Sequence, residues 1–369
     1  MGIVTTQAAI VDGPGALFEV HDVTLDGPRA GEVLVRIVAA GVCHTDLGMQ
    51  AAGLPYKLPV ILGHEGAGVV QSTGPGMDKV APGDKVLLSF TSCGACESCR
   101  GGHPAYCDTW VTRNLRTGLR EDGTPVARRR GQPVAARFFG QSSFAAHAIV
   151  DERSIVKVDP DADLSVLAPL GCGVQTGVGA VWKVLRPEPG QTLAVFGCGA
   201  VGMSAIMAAA LLPLEAIVAV DRVSERLDLA RSLGATHVID TRTCDAREVI
   251  AQITQGHGID HAVETTANPE VLRTSIDALA TRGTCAVVGA PRPGTEASFD
   301  VSGMLPGKQI VGVTLGDGEP DTFLPMLMKL HAQGRLPLEK LVRYYPLADL
   351  NRAADDMRAG RTIKPVIRF

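Results

Sequence analysis

The segment TLAVFGCGAVGMSAIMAAALL, residues 192–212, constrains the fold more than any other stretch of this chain. It reads as a short apolar strand, a turn carrying Gly197-x-Gly199-x-x-Gly202, and an apolar helix. Glycines at this spacing allow a tight turn, close approach of a pyrophosphate and close helix–strand packing, while the helix N-terminus offers free N–H groups and a partial positive charge. The turn residues Gly197, Gly199, Ala200, Val201 and Gly202 are therefore candidate phosphate contacts. A second strand, AIVAVD, follows and ends at Asp221, about twenty residues beyond the glycines, where a carboxylate can accept from both ribose hydroxyls of an adenosine. Its charge disfavours a 2′-phosphate and so favours NAD over NADP, although the adjacent Arg222 could pair with such a phosphate.

The alternation continues through HVID, DAREVIAQITQG, IDHAVETT, PEVLRTSIDALA, TCAVVGA and QIVGVTL, giving six strands with intervening helices. Asn268-Pro269 is a helix start, an N-cap with proline in the first turn. This is the content of a doubly wound parallel sheet. Before residue 150 the texture is different: short alternating strands and turns such as DGPG and APGD predict an irregular antiparallel β domain. The tail carries the helix-like FLPMLMKLHAQG and DLNRAADDMRAG and a last strand in TIKPVIRF. The fold class is thus α/β, a β-rich domain into which a nucleotide domain is inserted, as 369 residues allow. Residues 191–214 hold no charged residue, but three glycines and Pro213 favour a buried strand, turn and helix over a membrane span. A net charge of −4 argues against a nucleic-acid or anionic-membrane binder, and the first residues show no secretory signal, so a cytoplasmic location is expected.

Four of the nine cysteines, Cys93, Cys96, Cys99 and Cys107, lie in CGACESCRGGHPAYC. Such short gaps let one loop turn four sulfurs to a common centre, and four thiolates around zinc close the site to substrate, which makes it structural. Thiolates at these gaps also ligate iron–sulfur clusters, so spacing alone leaves both open. The remaining candidates are dispersed: Cys43-His44 after EVLVRIVAAG, His64-Glu65 in LGHEGAG, and Cys172 in LGCG. Two cysteines and a histidine form a known catalytic zinc set with a fourth position for water or substrate, yet each residue alone reads equally as core.

In order, GVCHTD, LGHEGAGVV, the four-cysteine segment, LGCG, GCGAVG and Asp221 resemble the zinc-dependent medium-chain alcohol dehydrogenases over essentially the whole chain. GVCHTD, FFGQSSFAAHAIV and TIKPVIRF are most similar to the aryl (benzyl) and allylic members. The resemblance implies a GroES-like catalytic domain over 1–173 and 316–369, a Rossmann domain over 174–315, two zinc ions and NAD. It implies that Cys43, His64 and Cys172 hold the catalytic zinc and Cys93, Cys96, Cys99 and Cys107 the structural one. Asp46 and Glu65 would support the catalytic site, with Asp46 orienting His64, and Thr45 would pass the alcohol proton. His44 and Lys364 match pyrophosphate contacts, Arg226 an adenosine-ribose contact, Thr176 a nicotinamide contact, and Phe90 a residue of the alcohol pocket. A homodimer or homotetramer is expected. One departure is Gly48, which stands where some members end the proton relay in a histidine.

The expected activity is oxidation of a primary aromatic or allylic alcohol with hydride transfer to NAD. One alternative is a thiol-dependent formaldehyde dehydrogenase acting on an S-hydroxymethyl adduct. Another is a non-enzymatic zinc or redox sensor. The basic stretch from Arg113 to Arg137, with Arg128, Arg129 and Arg130, reads as a solvated loop before it reads as an anion site.

Overall fold

The structure, a computed structural model, describes residues 3–52, 59–116 and 118–369. They form two compact units, one of Met1–Cys172, Glu319–His331 and Pro337–Phe369, the other of Gly173–Gly318 and Ala332–Leu336. The short return of Ala332–Leu336 to the second unit has no counterpart in the sequence pattern.

In the first unit two β-sheets carry the chain. One contains Val4–Val11, Glu19–Leu25, Val60–Ile61, Ala127–Arg129 and Gln132–Val134. The other is built on Glu32–Gly41, which pairs antiparallel with Glu65–Thr73, His147–Asp151 and Lys364–Arg368. Partners on both edges make EVLVRIVAAG a central strand, and its side chains are buried almost without interruption. The parallel pair Val342–Pro346 with Lys364–Arg368 is the exception to the antiparallel pattern expected of this unit.

The register of that sheet assembles the site. Gly41 lies opposite Glu65, which sets Cys43, two residues past one strand, beside His64, one residue before the other. Val366 also lies opposite Gly41, so Lys364 arrives at the same place from the C-terminal strand. A one-residue slip would send these side chains to the opposite face. Two glycines make the approach possible: a Cβ on Gly41 would lie 2.0 Å from Glu65 Oε2, and one on Gly171 would lie 2.0 Å from the Leu88 carbonyl.

Part of the basic stretch departs from the solvated reading, while Arg116 and Arg130 are exposed as it expects. Arg120 is 6% exposed, and its Nε and Nη2 donate to the two oxygens of Glu32 at 2.9 Å each, while Nη1 donates to Asp26 at 3.0 Å. Arg137 donates to Glu32 and Asp151, and Arg129 to Asp12. The reason is Glu32, buried at the start of the central strand: burial pushes its carboxyl up, and the arginines outweigh that and hold it below the usual range. An uncompensated charge there would be strongly unfavourable.

The second unit is a parallel sheet of six strands in spatial order His237–Asp240, Ala216–Asp221, Thr192–Phe196, Ile259–Glu264, Leu279–Val287, Gln309–Gly312. All neighbouring pairs are parallel. That order, with the first strand central, is the doubly wound dinucleotide-binding arrangement. Helices Ala200–Ala209, Ser224–Ser232, Ala246–Ile253 and Pro269–Asp277 link its strands. Asn268 caps the last by accepting from Glu270 N at 2.9 Å. The uncharged run resolves into strand Thr192–Phe196 and a ten-residue helix, both buried. Among the described residues no single helix is long and apolar enough to cross a membrane; one bent pair, Leu164–Gly171 with Gly173–Leu185, passes by length and composition alone.

Replacing Glu32 by alanine leaves Arg120 buried without its main partner, and should destabilise the protein by about 3–5 kcal/mol. Urea unfolding measures this; a loss below about 1 kcal/mol would show that the pair is solvated.

Candidate active site

Asp46 lies in the first turn of helix His44–Ala52 and is completely buried. One oxygen accepts from Cys43 N at 2.9 Å; the other accepts from Gly63 N at 3.0 Å and pairs with His64 Nδ1 at 2.9 Å. The carboxylate thus ties two remote segments together and engages Nδ1 of His64, which leaves Nε2 as the ring nitrogen that a metal would take. Nε2 is buried and has no hydrogen-bond partner. Burial would lower the imidazole's pKa, but the Asp46 carboxylate and then Cys43 raise it to about 10. Cys43 Sγ, Cys172 Sγ, His64 nitrogen and a Glu65 oxygen all lie within 4.8 Å of one another.

This donor set fits zinc. Tetrahedral Zn–S bonds of ~2.3 Å and Zn–N bonds of ~2.0 Å require the ligand atoms to stand under ~4 Å apart. The orphaned Nε2 is the atom such an ion would satisfy. Cys172 hydrogen-bonds Cys43, holding the Cys43 thiol well below its ordinary range and Cys172 above it.

Gln141 was not legible in the sequence. Completely buried, it accepts from Gly66 N at 3.0 Å through Oε1 and donates through Nε2 to the carbonyls of His64 at 3.0 Å and Ser89 at 2.7 Å. Ser89 Oγ in turn donates to the Gly171 carbonyl at 2.7 Å, next to Cys172. Asp46, His64, Gln141, Ser89 and Gly171 form a continuous chain that joins all three metal ligands. No spacing relates Gln141 to those ligands, so only the folded strand order reveals it.

Glu65 and Lys364 are both buried, and Lys364 Nζ donates to both Glu65 oxygens at 2.9 Å and to the Val42 carbonyl at 3.1 Å. Burial raises Glu65 against the pull of Lys364, and the surrounding anions hold Lys364 charged. Lys364 thus supplies the counter-charge that a buried carboxylate beside two sulfurs demands.

The remaining candidates fall as follows. Thr45 Oγ1 is 3.8 Å from Cys43 Sγ, His44 is exposed, and Gly48 has open space around its Cα. Phe90 is buried. Phe139 stacks on His64 with ring centroids 4.4 Å apart, Phe138 meets the same imidazole edge-on at 5.4 Å, and Trp110 packs edge-on to Phe139. Thr176 is buried in helix Gly173–Gly179. Gly197 has φ +94°, a Cβ on Gly202 would lie 1.9 Å from the Gly197 carbonyl, and Gly199 has open space above it. No side chain caps helix Ala200–Ala209, which leaves its first N–H groups for a phosphate. Asp221 accepts from Cys198 N at 2.6 Å, Arg222 N at 2.7 Å and Val223 N at 2.9 Å, and Arg226 Nε is buried without a partner. These residues fit an NAD pyrophosphate and ribose.

The four-cysteine loop closes on a point. Cys93, Cys96, Cys99 and Cys107 place all four sulfurs within 4.8 Å, Cys93 and Cys99 being 3.9 Å apart. Tetrahedral zinc requires ~3.8 Å, whereas a cluster of several irons holds its thiolates further apart, so the geometry selects a single ion. Backbone N–H groups of Ala95 and Cys96 draw Cys93 down to about 6, and burial with the neighbouring Cys96 pushes Cys99 up to about 12. From outside the loop Arg153 lies against Gly94, where a Cβ would fall 1.4 Å from its guanidinium.

A doubly wound nucleotide unit, a β unit with a three-ligand metal set, and a closed four-thiolate set define a zinc-dependent dehydrogenase. The chain belongs to the zinc-dependent medium-chain alcohol dehydrogenase family. The alcohol dehydrogenase GroES-like domain matches residues 29–160 and the zinc-binding dehydrogenase domain residues 200–332. The chain is 38% identical over 368 residues to a geraniol dehydrogenase of Castellaniella defragrans, covering 99% of this chain and 98% of that one. Among solved structures, an alcohol dehydrogenase zinc-binding domain protein from Burkholderia ambifaria is 47% identical with a TM-score of 0.97 and covers 100% of both chains. The benzyl alcohol dehydrogenase of Acinetobacter calcoaceticus is 42% identical with a TM-score of 0.95, covering 99% of both. The chain is an enzyme that uses zinc and NAD.

Gln141→Leu keeps the volume and removes the polar link between His64 and Ser89. It should release one zinc per chain to a chelator at least about tenfold faster while the four-thiolate zinc stays, as outer hydrogen bonds commonly tune metal affinity 10–100-fold. Equal release from both variants would remove Gln141 from the ligand scaffold.

Proposed function

We propose that the chain oxidises a primary aromatic or allylic alcohol to the aldehyde, reversibly, with hydride passing to NAD. The observation that carries this reading is the buried, unpartnered His64 Nε2 set among Cys43 and Cys172 and walled by the ring of Phe139. The names of the geraniol and benzyl alcohol dehydrogenase relatives agree with it. Phe139 and Phe138 pack on the His64 imidazole and surround this metal ligand with aromatic side chains, an apolar setting that agrees with a conjugated or aromatic substrate.

Bound zinc supplies Lewis acidity that favours loss of the alcohol proton, and NAD supplies the hydride acceptor. The chain does the positioning. Asp46 fixes the imidazole and the Cys43 backbone, Gln141 fixes the His64 backbone, Ser89 fixes Gly171 beside Cys172, and Lys364 neutralises Glu65 so that the anionic charge near the cation is limited. Thr45, beside Cys43, is placed to take the alcohol proton. Gly48 offers no imidazole, so the onward proton acceptor among this chain's residues would be His44. Gly197, Gly199, Ala200, Val201 and Gly202 hold the pyrophosphate, Asp221 and Arg226 the adenosine ribose, and Thr176 the nicotinamide.

The reading includes a cytoplasmic homodimer or homotetramer. Strand Gln309–Gly312 ends the six-stranded sheet, and Ile310 on it is 39% exposed, which supports association along that edge.

Zinc-loaded enzyme should reduce NAD with saturable benzyl alcohol and no added thiol, followed by NADH absorbance. Formaldehyde turnover confined to thiol-supplemented reactions would favour the S-hydroxymethyl substrate instead, and NAD binding without turnover of any alcohol would favour a sensor. Cys43→Ser should abolish turnover and leave NAD affinity within a few-fold; near-normal activity would refute Cys43 as a ligand. Asp221→Gly should shift the ratio of kcat/KM from NAD toward NADP, and an unchanged ratio would show that Asp221 does not meet the ribose.

A further inference from the structure

Thr91 and Trp110 each carry a polar atom that the fold encloses and leaves without a partner, the Thr91 hydroxyl and the Trp110 indole N–H. Thr91 as a whole is 2% exposed. A buried polar group left unmade costs about 1–3 kcal/mol, so such groups in a native fold call for a ligand, a water or another explanation. Valine and phenylalanine would fill the same volumes without that cost. One side chain links the two: Asn114 Oδ1 accepts from Thr91 N at 3.0 Å, and its Nδ2 donates to the carbonyls of Thr91 at 2.9 Å and Trp110 at 2.8 Å.

The pair is joined to the metal site through rings. Trp110 packs edge-on to Phe139 at 5.5 Å and 90°, and Phe139 stacks on His64 at 4.4 Å and 26°. Phe139 is held at φ +53°, a conformation a bulky residue adopts only when its surroundings impose it. Gly140, next to it, packs on Thr91, where a Cβ would lie 3.2 Å from the Thr91 Cβ. Trp110 therefore stands one aromatic ring away from the zinc ligand His64, and Thr91 is tied to Trp110 through Asn114.

We infer that Thr91 and Trp110 are specificity-determining residues that receive an oxygen substituent, a phenol hydroxyl or a methoxy group, on the ring of an aromatic alcohol, remote from the reacting carbon. This rests on the aromatic-alcohol reading above and narrows it. The indole N–H donates to the substituent oxygen, and the Thr91 hydroxyl donates to it or accepts from a phenol.

The test compares 4-hydroxybenzyl with 4-methylbenzyl alcohol, which match in size and differ in hydrogen bonding, using the zinc-loaded full-length enzyme. Wild type should prefer the hydroxy compound in kcat/KM. Trp110→Phe or Thr91→Val should lower that preference about tenfold, the loss of one net hydrogen bond. Calorimetry of the two matching aldehydes, without NAD, should show tighter binding of the hydroxy compound to wild type and not to the variants. If a resident water completes both groups, the preference moves less than about twofold in both variants and the aldehydes bind wild type equally, which overturns the inference alone. A wild type that oxidises no benzylic alcohol overturns the aromatic-alcohol reading and the inference with it.

Discussion

The Asp46 carboxylate is the constraint on which the rest of this structure depends. A fully buried anion must be matched by donors, and its three donors are the backbone of Cys43, the backbone of Gly63 and the ring of His64. Satisfying it brings two segments some twenty residues apart to within bonding range of one ion. The same demand recurs around it: Glu65 requires Lys364, and Glu32 requires Arg120 and Arg137. The β unit is a scaffold in which buried carboxylates choose which strands meet.

Much of this was legible in the sequence because the physics that specifies it is local. Glycine spacing at Gly197, Gly199 and Gly202 reports a turn that a side chain would block, and period and punctuation report the parallel sheet around it. The closely spaced cysteines report their own loop. The dispersed ligands are different. Nothing in the spacing of Cys43, His64 and Cys172 requires them to converge; likeness to a family suggested it, and the Gly41–Glu65 register with the Gly171 approach to Leu88 accounts for it physically.

What escaped the sequence was non-local. Gln141 looks like one of three polar residues in FFGQSSF, yet it bonds the backbone of His64, Gly66 and Ser89. Lys364, near the C-terminus, gives no sign in the sequence that strand pairing carries it under Glu65. Arg120 read as a surface charge because a basic stretch does not reveal the acidic strand start it will bury. In each case a polar side chain is committed to a partner more than seventy residues away in the chain.

The two metal sets divide structure from chemistry. The four-thiolate loop leaves no coordination position open, while the three-ligand set, with an aromatic wall on one side, leaves one. X-ray absorption at the zinc edge tests that division directly. With two ions per chain, the account predicts an average shell of ~3 sulfurs at ~2.3 Å and ~1 nitrogen or oxygen at ~2.0 Å. A single zinc per chain with an all-sulfur shell would contradict it.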